Sequence, residues 1–342
     1  MSDKNNNTLT FKDFKSDQEI RWCPGCGDTA ILMAVQKAMA QLEHKKEDYA
    51  VVSGIGCSSR FPYYMATYGF HGIHGRAGVL ASGVKMANPK LSVWQITGDG
   101  DAMAIGGNHF IHEIRRNIDL NLLLFNNEIY GLTKGQYSPT SEMGMVTKTS
   151  PYGTIEVPFK PGELVIGSQG TYFARGIDNK VKELTKTFIE ADNHKGTSVV
   201  EILQNCVIYN DGAHDDVTSK ARRDHKQLWL EHGEPMLFGK ENELGIVLEG
   251  LKLKVVEIGK DGYTKDDILV HDAKEPDPTM HLMLVRMGYA NSPDMPVAFG
   301  TIRAVEYDTY ETLLEKQIEE VKSTSKIQNV DDLLNSGKTW TV

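Results

Sequence analysis

Two groups of residues in this chain have the types and the spacing to do chemistry. The first is Gly98-Asp99-Gly100, followed after 25 residues by Asn126-Asn127. A hard divalent cation such as Mg²⁺ takes oxygen ligands in octahedral geometry and keeps positions open for phosphate oxygens. An aspartate, an asparagine side-chain oxygen and one backbone carbonyl, with two oxygens of a diphosphate, fill most of that shell. The glycines beside Asp99 let the backbone come close to phosphates. Alone, Gly98–Gly100 is equally a turn at the end of a strand. The asparagine pair at this distance, with each group following an apolar run, is what favours a metal–diphosphate site.

The second group is Cys23-Pro24-Gly25-Cys26 with the distant Cys57 and Cys206, which together are all the cysteines of the chain. A C-x-x-C turn presents two thiolates, and two more complete a tetrahedral set that suits either zinc or a [4Fe–4S] cluster. The residue types do not separate the two, and buried free thiols are a third possibility. Arg60, three residues after Cys57, is a fork-shaped donor suited to a carboxylate, or else a surface ion-pair partner. Lys134 is a lone loop lysine.

These residues need a scaffold, and the hydrophobic pattern supplies one. Apolar positions from Ile31 to Leu42 recur at helical spacing behind Asp28, which is expected as the N-cap. Helices are also expected over Gly75–Met86, 106–117 and Asn179–Ala191. Strands are expected in 91–97, 120–127 and 197–203, and the run 49–57 is expected to be a buried strand followed by a tight turn at its glycines. Alternating strands and helices predict an α/β fold, a mostly parallel sheet with helices on both faces. In such sheets ligands bind beyond the carboxyl ends of the strands. Gly54–Arg60, Gly98–Asp101, Asn126–Gln136 and Cys206 all fall there. A long Gly/Pro/Ser/Thr-rich stretch runs from Tyr130 to about Gly170, and loops of that length are usually functional. The expected division is an N-terminal arm (1–20), a binding domain (21–235) and a C-terminal accessory region (236–342), the last including a charged amphipathic helix over 312–326.

Charge and composition exclude some roles. Residues 1–230 carry as many acidic as basic side chains, so the whole net charge of −9 lies in the remainder. Nucleic acid is not an expected partner, since phosphate binding wants a basic patch. No apolar run is long enough to span a membrane. The polar N-terminal residues hold no signal core, which leaves the cytoplasm as the expected compartment.

The stretches WCPGCGD, GIGCSSRFPYY, HGIHGRA, GDGDAMAIGGNH and NNEIYGLTKGQYSPT resemble the β subunit of 2-oxoacid:ferredoxin oxidoreductases, from about Ile20 to Gly239. The wording of two of them is most similar to 2-oxoglutarate enzymes. The resemblance implies the thiamine-diphosphate-binding fold and oxidative decarboxylation of a 2-oxoacid. Electrons would pass through a [4Fe–4S] cluster to ferredoxin, and the acyl group to coenzyme A. Asp99, Asn127 and the carbonyl of Ile129 would hold Mg²⁺. Ile55, Gly56, Cys57, Ser58, His74, Gly75, Gly98, Gly100, Asp101 and Gly131 would surround the cofactor. Cys23, Cys26, Cys57 and Cys206 would ligate the cluster. Arg60 would recognise the substrate carboxylate and Lys134 coenzyme A. A glutamate that activates the thiamine is not identifiable in this chain; in the family it comes from an α subunit, so an α/β heterodimer or a dimer of heterodimers is expected. A thiamine-dependent decarboxylase or carboligase without electron transfer is the alternative, but it leaves the cysteines idle. A non-catalytic electron-transfer subunit is a second alternative, against which the intact Asp99, Asn126 and Asn127 argue.

Overall fold

The protein is described by a computed structural model over residues 9–288, 294–338 and 340. The first eight residues of the expected arm therefore lie outside the described residues. The strands are β1 (Tyr49–Ser53), β2 (Tyr68–His71), β3 (Ser92–Gly98), β4 (Leu120–Asn126), β5 (Tyr172–Ile177), β6 (Thr197–Leu203), β7 (Gln227–Leu230), β8 (Leu237–Phe238), β9 (Leu244–Glu249), β10 (Lys252–Glu257) and β11 (Val297–Ala304). Eight of them form one sheet in the order β2-β1-β3-β4-β6-β5-β11-β7. The first six run parallel; β11 lies antiparallel to β5 and parallel to β7.

The helices are α1 (Asp28–Met39), α2 (Ala77–Ala87), α3 (Asp99–Met103), α4 (Gly107–Arg116), α5 (Pro161–Gly167), α6 (Val181–Asn193), α7 (Asp215–Thr218), α8 (Arg223–Lys226), α9 (Thr279–Arg286), α10 (Tyr310–Thr324) and α11 (Val330–Asn335). They cover both faces. On one face Ile31 and Val35 of α1 and Leu184 and Phe188 of α6 pack on Val51, Trp94, Leu123 and Val200. On the other, Ala81, Phe110, Ile114, Val165 and Leu284 pack on Val52, Leu122, Leu124 and Val199. Successive residues of β4 thus enter opposite cores, which is why the strand reads as an unbroken apolar run.

Several elements depart from the sequence reading. Gly27, not Asp28, is the N-cap of α1; Asp28 is the first helical residue and is buried. The arm is not loose where it is described. Phe14 is fully buried, and its carbonyl accepts from Ala66 N. Strand β5 went unread because Arg175 breaks its apolar pattern. That arginine is fully buried and donates from Nε to Glu201 Oε2 of β6 at 2.7 Å, a neighbouring-strand pair that hides two charges inside the sheet. Residues 236–342 hold an antiparallel sheet, β10-β9-β8, and also contribute β11 to the main sheet. Phe238, Ile246 and Val256 join the same apolar cluster as Leu122. The helix expected over 312–326 is α10, which leaves Leu313 and Val321 exposed.

Candidate active site

The carboxyl ends of β1, β3, β4 and β6 converge, and each delivers a turn that carries expected site residues. A cavity of about 420 Å³ opens there. Ile55, Gly56, Cys57 and Ser58 line it from the turn after β1, Gly98, Asp99, Gly100 and Asp101 from the end of β3, and Asn127, Ile129, Tyr130 and Gly131 from the turn after β4. His74 completes the wall. Gly75 is not part of the lining; its N–H donates to Asp101 Oδ1 at 2.7 Å, so it acts through that carboxylate.

Asp99 sits at the start of α3 and is 2% exposed. Its Oδ2 accepts from Ser138 Oγ at 2.5 Å and from Thr140 Oγ1 at 2.6 Å. Burial pushes its carboxyl above the ordinary value, although the two hydroxyls pull the other way. Close by, Glu128 is pushed up to about 8 by burial and by the Glu142, Asp99 and Glu201 carboxylates. Glu128 is thereby held toward its neutral form, which leaves Asp99 as the acidic ligand here, and the hydrogen-bond partners of Asp99 are hydroxyls rather than cations. A divalent cation fits this donor set.

Asp101 ties three turns together. Its Oδ1 accepts from Ile55 N at 3.1 Å and Gly75 N at 2.7 Å and lies 2.9 Å from His74 Nδ1, while Oδ2 accepts from Thr97 Oγ1 at 2.7 Å. Gly100 serves packing: a Cβ there would stand 2.2 Å from the Tyr130 ring, whose hydroxyl donates to Gly100 O at 3.0 Å. Asn126 and Asn127 divide the work. Asn126 is buried in the scaffold, where Nδ2 donates to Glu201 Oε1 at 2.8 Å and Oδ1 accepts from Thr140. Asn127 faces the cavity; its Oδ1 accepts from Ile129 N at 3.2 Å and its Nδ2 donates to Gln204 at 2.8 Å.

The four cysteines come from three turns. Cys26 N closes the C-x-x-C turn on Cys23 O at 3.0 Å, and Gly27 N reaches Asn205 O beside Cys206. Trp22 Nε1 donates to Cys57 O at 2.7 Å, which fixes the turn after β1 against the first pair. A Cβ on Gly131 would lie 3.3 Å from the Cys57 sulfur and 3.6 Å from the Cys206 sulfur. A glycine there leaves room beside both thiols. All four cysteines are free; Cys23 is exposed and the others are half-buried. Burial, reinforced by Asp28 and the Cys206 and Cys23 thiols, pushes Cys57 up to about 12. Among the described residues no three His, Cys, Asp or Glu side chains are grouped tightly enough for a single metal ion.

Arg60 and Lys134 do not line the cavity, and both are exposed. Arg60 belongs to a 3₁₀ turn over Ser58–Tyr64, and its charge favours the Cys57 thiolate. Lys134 has a left-handed backbone, φ 76°. Sequence reasoning passed over Ser138, Thr140, Tyr130, Gln204 and Trp22. Ser138, Thr140 and Tyr130 lie in a stretch already quoted for its resemblance, which was the available signal.

Residues 54–202 match the family described as thiamine pyrophosphate enzyme, C-terminal TPP binding domain. The chain is 45% identical over 333 residues to the 2-oxoglutarate oxidoreductase subunit KorB of Mycobacterium tuberculosis, covering 97% of this chain and 88% of that one. It is 47% identical over 190 residues to subunit beta of 2-oxoacid:ferredoxin oxidoreductase 1 of Aeropyrum pernix, 56% of this chain and 60% of that one. Among solved structures, the 2-oxoglutarate:ferredoxin oxidoreductase of Magnetococcus marinus, with 2-oxoglutarate, coenzyme A and succinyl-CoA bound, superposes with a TM-score of 0.77 at 31% identity, covering 98% of both chains.

Proposed function

The chain belongs to the β subunits of the 2-oxoacid:ferredoxin oxidoreductases, and from that premise we propose that, with an α subunit, it converts a 2-oxoacid, specifically 2-oxoglutarate, to its acyl-coenzyme A while electrons pass to ferredoxin. Thiamine diphosphate occupies the cavity of about 420 Å³, held by Mg²⁺ on Asp99, Asn127 and the Ile129 carbonyl. Cys23, Cys26, Cys57 and Cys206 ligate a [4Fe–4S] cluster. The observation that carries the reading is that Cys57 lines the same cavity as Asp99 and Asn127. A redox centre on that thiol stands next to the reacting cofactor. All four cysteines of the chain take part in this reading, whereas the set would be idle in a decarboxylase or carboligase.

When bound, thiamine diphosphate supplies the electron sink for decarboxylation and the cluster a one-electron acceptor. The chain's own residues bind and orient. Ser138 and Thr140 hold the Asp99 carboxylate in one direction, and Asp101 locks the turns that wall the cofactor. Arg60, at the solvent side of the Cys57 turn, receives the 2-oxoacid carboxylate, and Lys134 a phosphate of coenzyme A. The partners are the α subunit, in a heterodimer or a dimer of heterodimers, and ferredoxin. A reducing cytoplasm suits four free cysteines. Among the described residues no helix is long and apolar enough to cross a membrane.

The test is the co-expressed α/β complex with 2-oxoglutarate, coenzyme A and ferredoxin or a viologen dye. Brown protein absorbing near about 400 nm and coenzyme-A-dependent dye reduction are expected. Colourless protein that releases CO₂ without reducing the dye would establish the carboligase reading instead.

A further inference from the structure

Gln204, the first residue after β6, is 1% exposed and makes contact with both halves of the site. Its Nε2 donates to Asn205 O at 2.6 Å. A carbonyl only accepts, so this bond settles which end of the amide is nitrogen. The Oε1 atom is then the end that faces Asn127, whose Nδ2 donates to it at 2.8 Å. Asn127 in turn has its Oδ1 on the opposite side, where Ile129 N donates at 3.2 Å. The other hydrogen of Gln204 Nε2 points toward Cys26, with nitrogen and sulfur 3.5 Å apart. Both N–H directions and one acceptor direction of this buried amide are thereby used, and the flipped orientation would satisfy none of the three partners.

We propose that Gln204 is a positioning residue shared by the two centres. Its amide oxygen determines that Asn127 presents oxygen, not nitrogen, to the cation. Its amide N–H raises the reduction potential of the cluster through Cys26. The inference rests on the proposed placement of Mg²⁺ at Asn127 and of the cluster at Cys26. An N–H···S bond draws electron density from a cluster thiolate and so favours the reduced state, and hydrogen bonds to sulfur are among the determinants of cluster potential. Residues that orient a ligand from behind are worth roughly 10–100-fold in metal affinity.

The test uses the α/β holoenzyme and two variants. Gln204→Met keeps the length and removes both interactions. Gln204→Glu keeps an acceptor for Asn127 and loses the donor to Cys26. The cluster potential is read by EPR-monitored redox titration, and Mg²⁺ affinity by thiamine diphosphate binding across a Mg²⁺ series. Gln204→Met is expected to lower the potential and to weaken Mg²⁺ about tenfold or more. Gln204→Glu is expected to lower the potential while keeping most of the Mg²⁺ affinity. Wild-type potentials in both variants at full iron content would overturn the link to Cys26, and wild-type Mg²⁺ affinity in Gln204→Met would overturn the orienting role. Should neither variant fold, pulsed EPR of the unmutated enzyme in D₂O decides: a coupled deuteron at the reduced cluster supports the bond and its absence refutes it. An unmutated enzyme without a cluster would instead refute the proposed function itself.

Discussion

Asp99 is the acidic side chain in the proposed cation shell, and it is buried against two hydroxyls. Asp99→Ala is therefore expected to abolish thiamine diphosphate binding at physiological Mg²⁺, as read by calorimetric titration. Thr140→Val, which removes one hydroxyl at nearly constant volume, should weaken Mg²⁺ roughly tenfold or more without abolishing binding. Unchanged affinity in Asp99→Ala would remove Asp99 from the site. That Asp99 and Asn127 would meet at one cavity was legible because type and spacing together are specific. Ser138 and Thr140 were not legible as ligand supports, since loop hydroxyls are common and their direction exists only once the stretch after β4 folds back over α3. Arg60 is read differently, as an exposed cation beside the cavity. Arg60→Ala should raise the apparent KM for the 2-oxoacid about tenfold or more, the size of one lost charge-assisted hydrogen bond of about 1.5–3 kcal/mol. Ferredoxin and coenzyme A parameters should hardly move. Steady-state kinetics showing a normal KM for every 2-oxoacid would make Arg60 a structural residue.

At the scale of elements, α6 is fastened to the sheet by one carboxylate. Asp192 Oδ1 accepts from Ser92 Oγ of β3 at 2.5 Å and Asn121 Nδ2 of β4 at 2.8 Å, and Oδ2 lies 2.7 Å from His44 Nε2. The hydrogen bond to Asp192 raises His44 above its ordinary 6.5. Burial opposes the charge of Asp192, but His44, Ser92 and Asn121 hold its carboxyl below 3.8. The histidine's contribution to stability is complete below pH 6.5 and is lost as pH rises through its folded value. The aspartate's contribution is complete above pH 3.8 and is lost as pH falls through its folded value. Thermal melts should thus fall from pH 6.5 toward pH 8 in the native chain, and the fall should be shallower in His44→Gln. Identical slopes would show that the pair is not coupled to folding. The central strands β3, β4 and β6, with helices α4 and α6, were readable because their apolar patterns are strong, whereas the short α3 and α5 were read as a turn and as part of a long loop. Strand β5 was not, because a buried arginine resembles an exposed one until its partner on the next strand is known. Strand β11 was not, because its pairing with β5 is long-range and reverses the local direction of the sheet.

For the whole molecule, the chain presents a cofactor cavity without an identified activating glutamate. The isolated β subunit is expected to bind thiamine diphosphate, Mg²⁺ and the cluster, yet to turn over 2-oxoglutarate only when an α subunit is added. Titrating α subunit into β subunit at fixed substrate, with dye reduction as the readout, measures this. Full activity of the β subunit alone would mean that the activating group lies in this chain.

The thiols of the proposed cluster are drawn from both ends of the parallel sheet's sequence, with Gln204 meeting Cys26 across 178 residues. Strand β11 is made later still and enters between β5 and β7. A ribosome adding about 5–20 residues per second therefore exposes the C-x-x-C thiols long before Cys206 emerges. It also leaves the edge of β5 open until nearly the whole chain has been synthesised. The proposed cluster is then expected to load only once Cys206 is available, so nascent chains halted before Cys206 should stay free of iron, and chains halted before Val297 should stay protease-sensitive because β5 lacks its partner. Biogenesis, rather than chemistry, is where the long reach of this topology is felt: a prematurely terminated chain presents the unpaired edge of β5 to its neighbours.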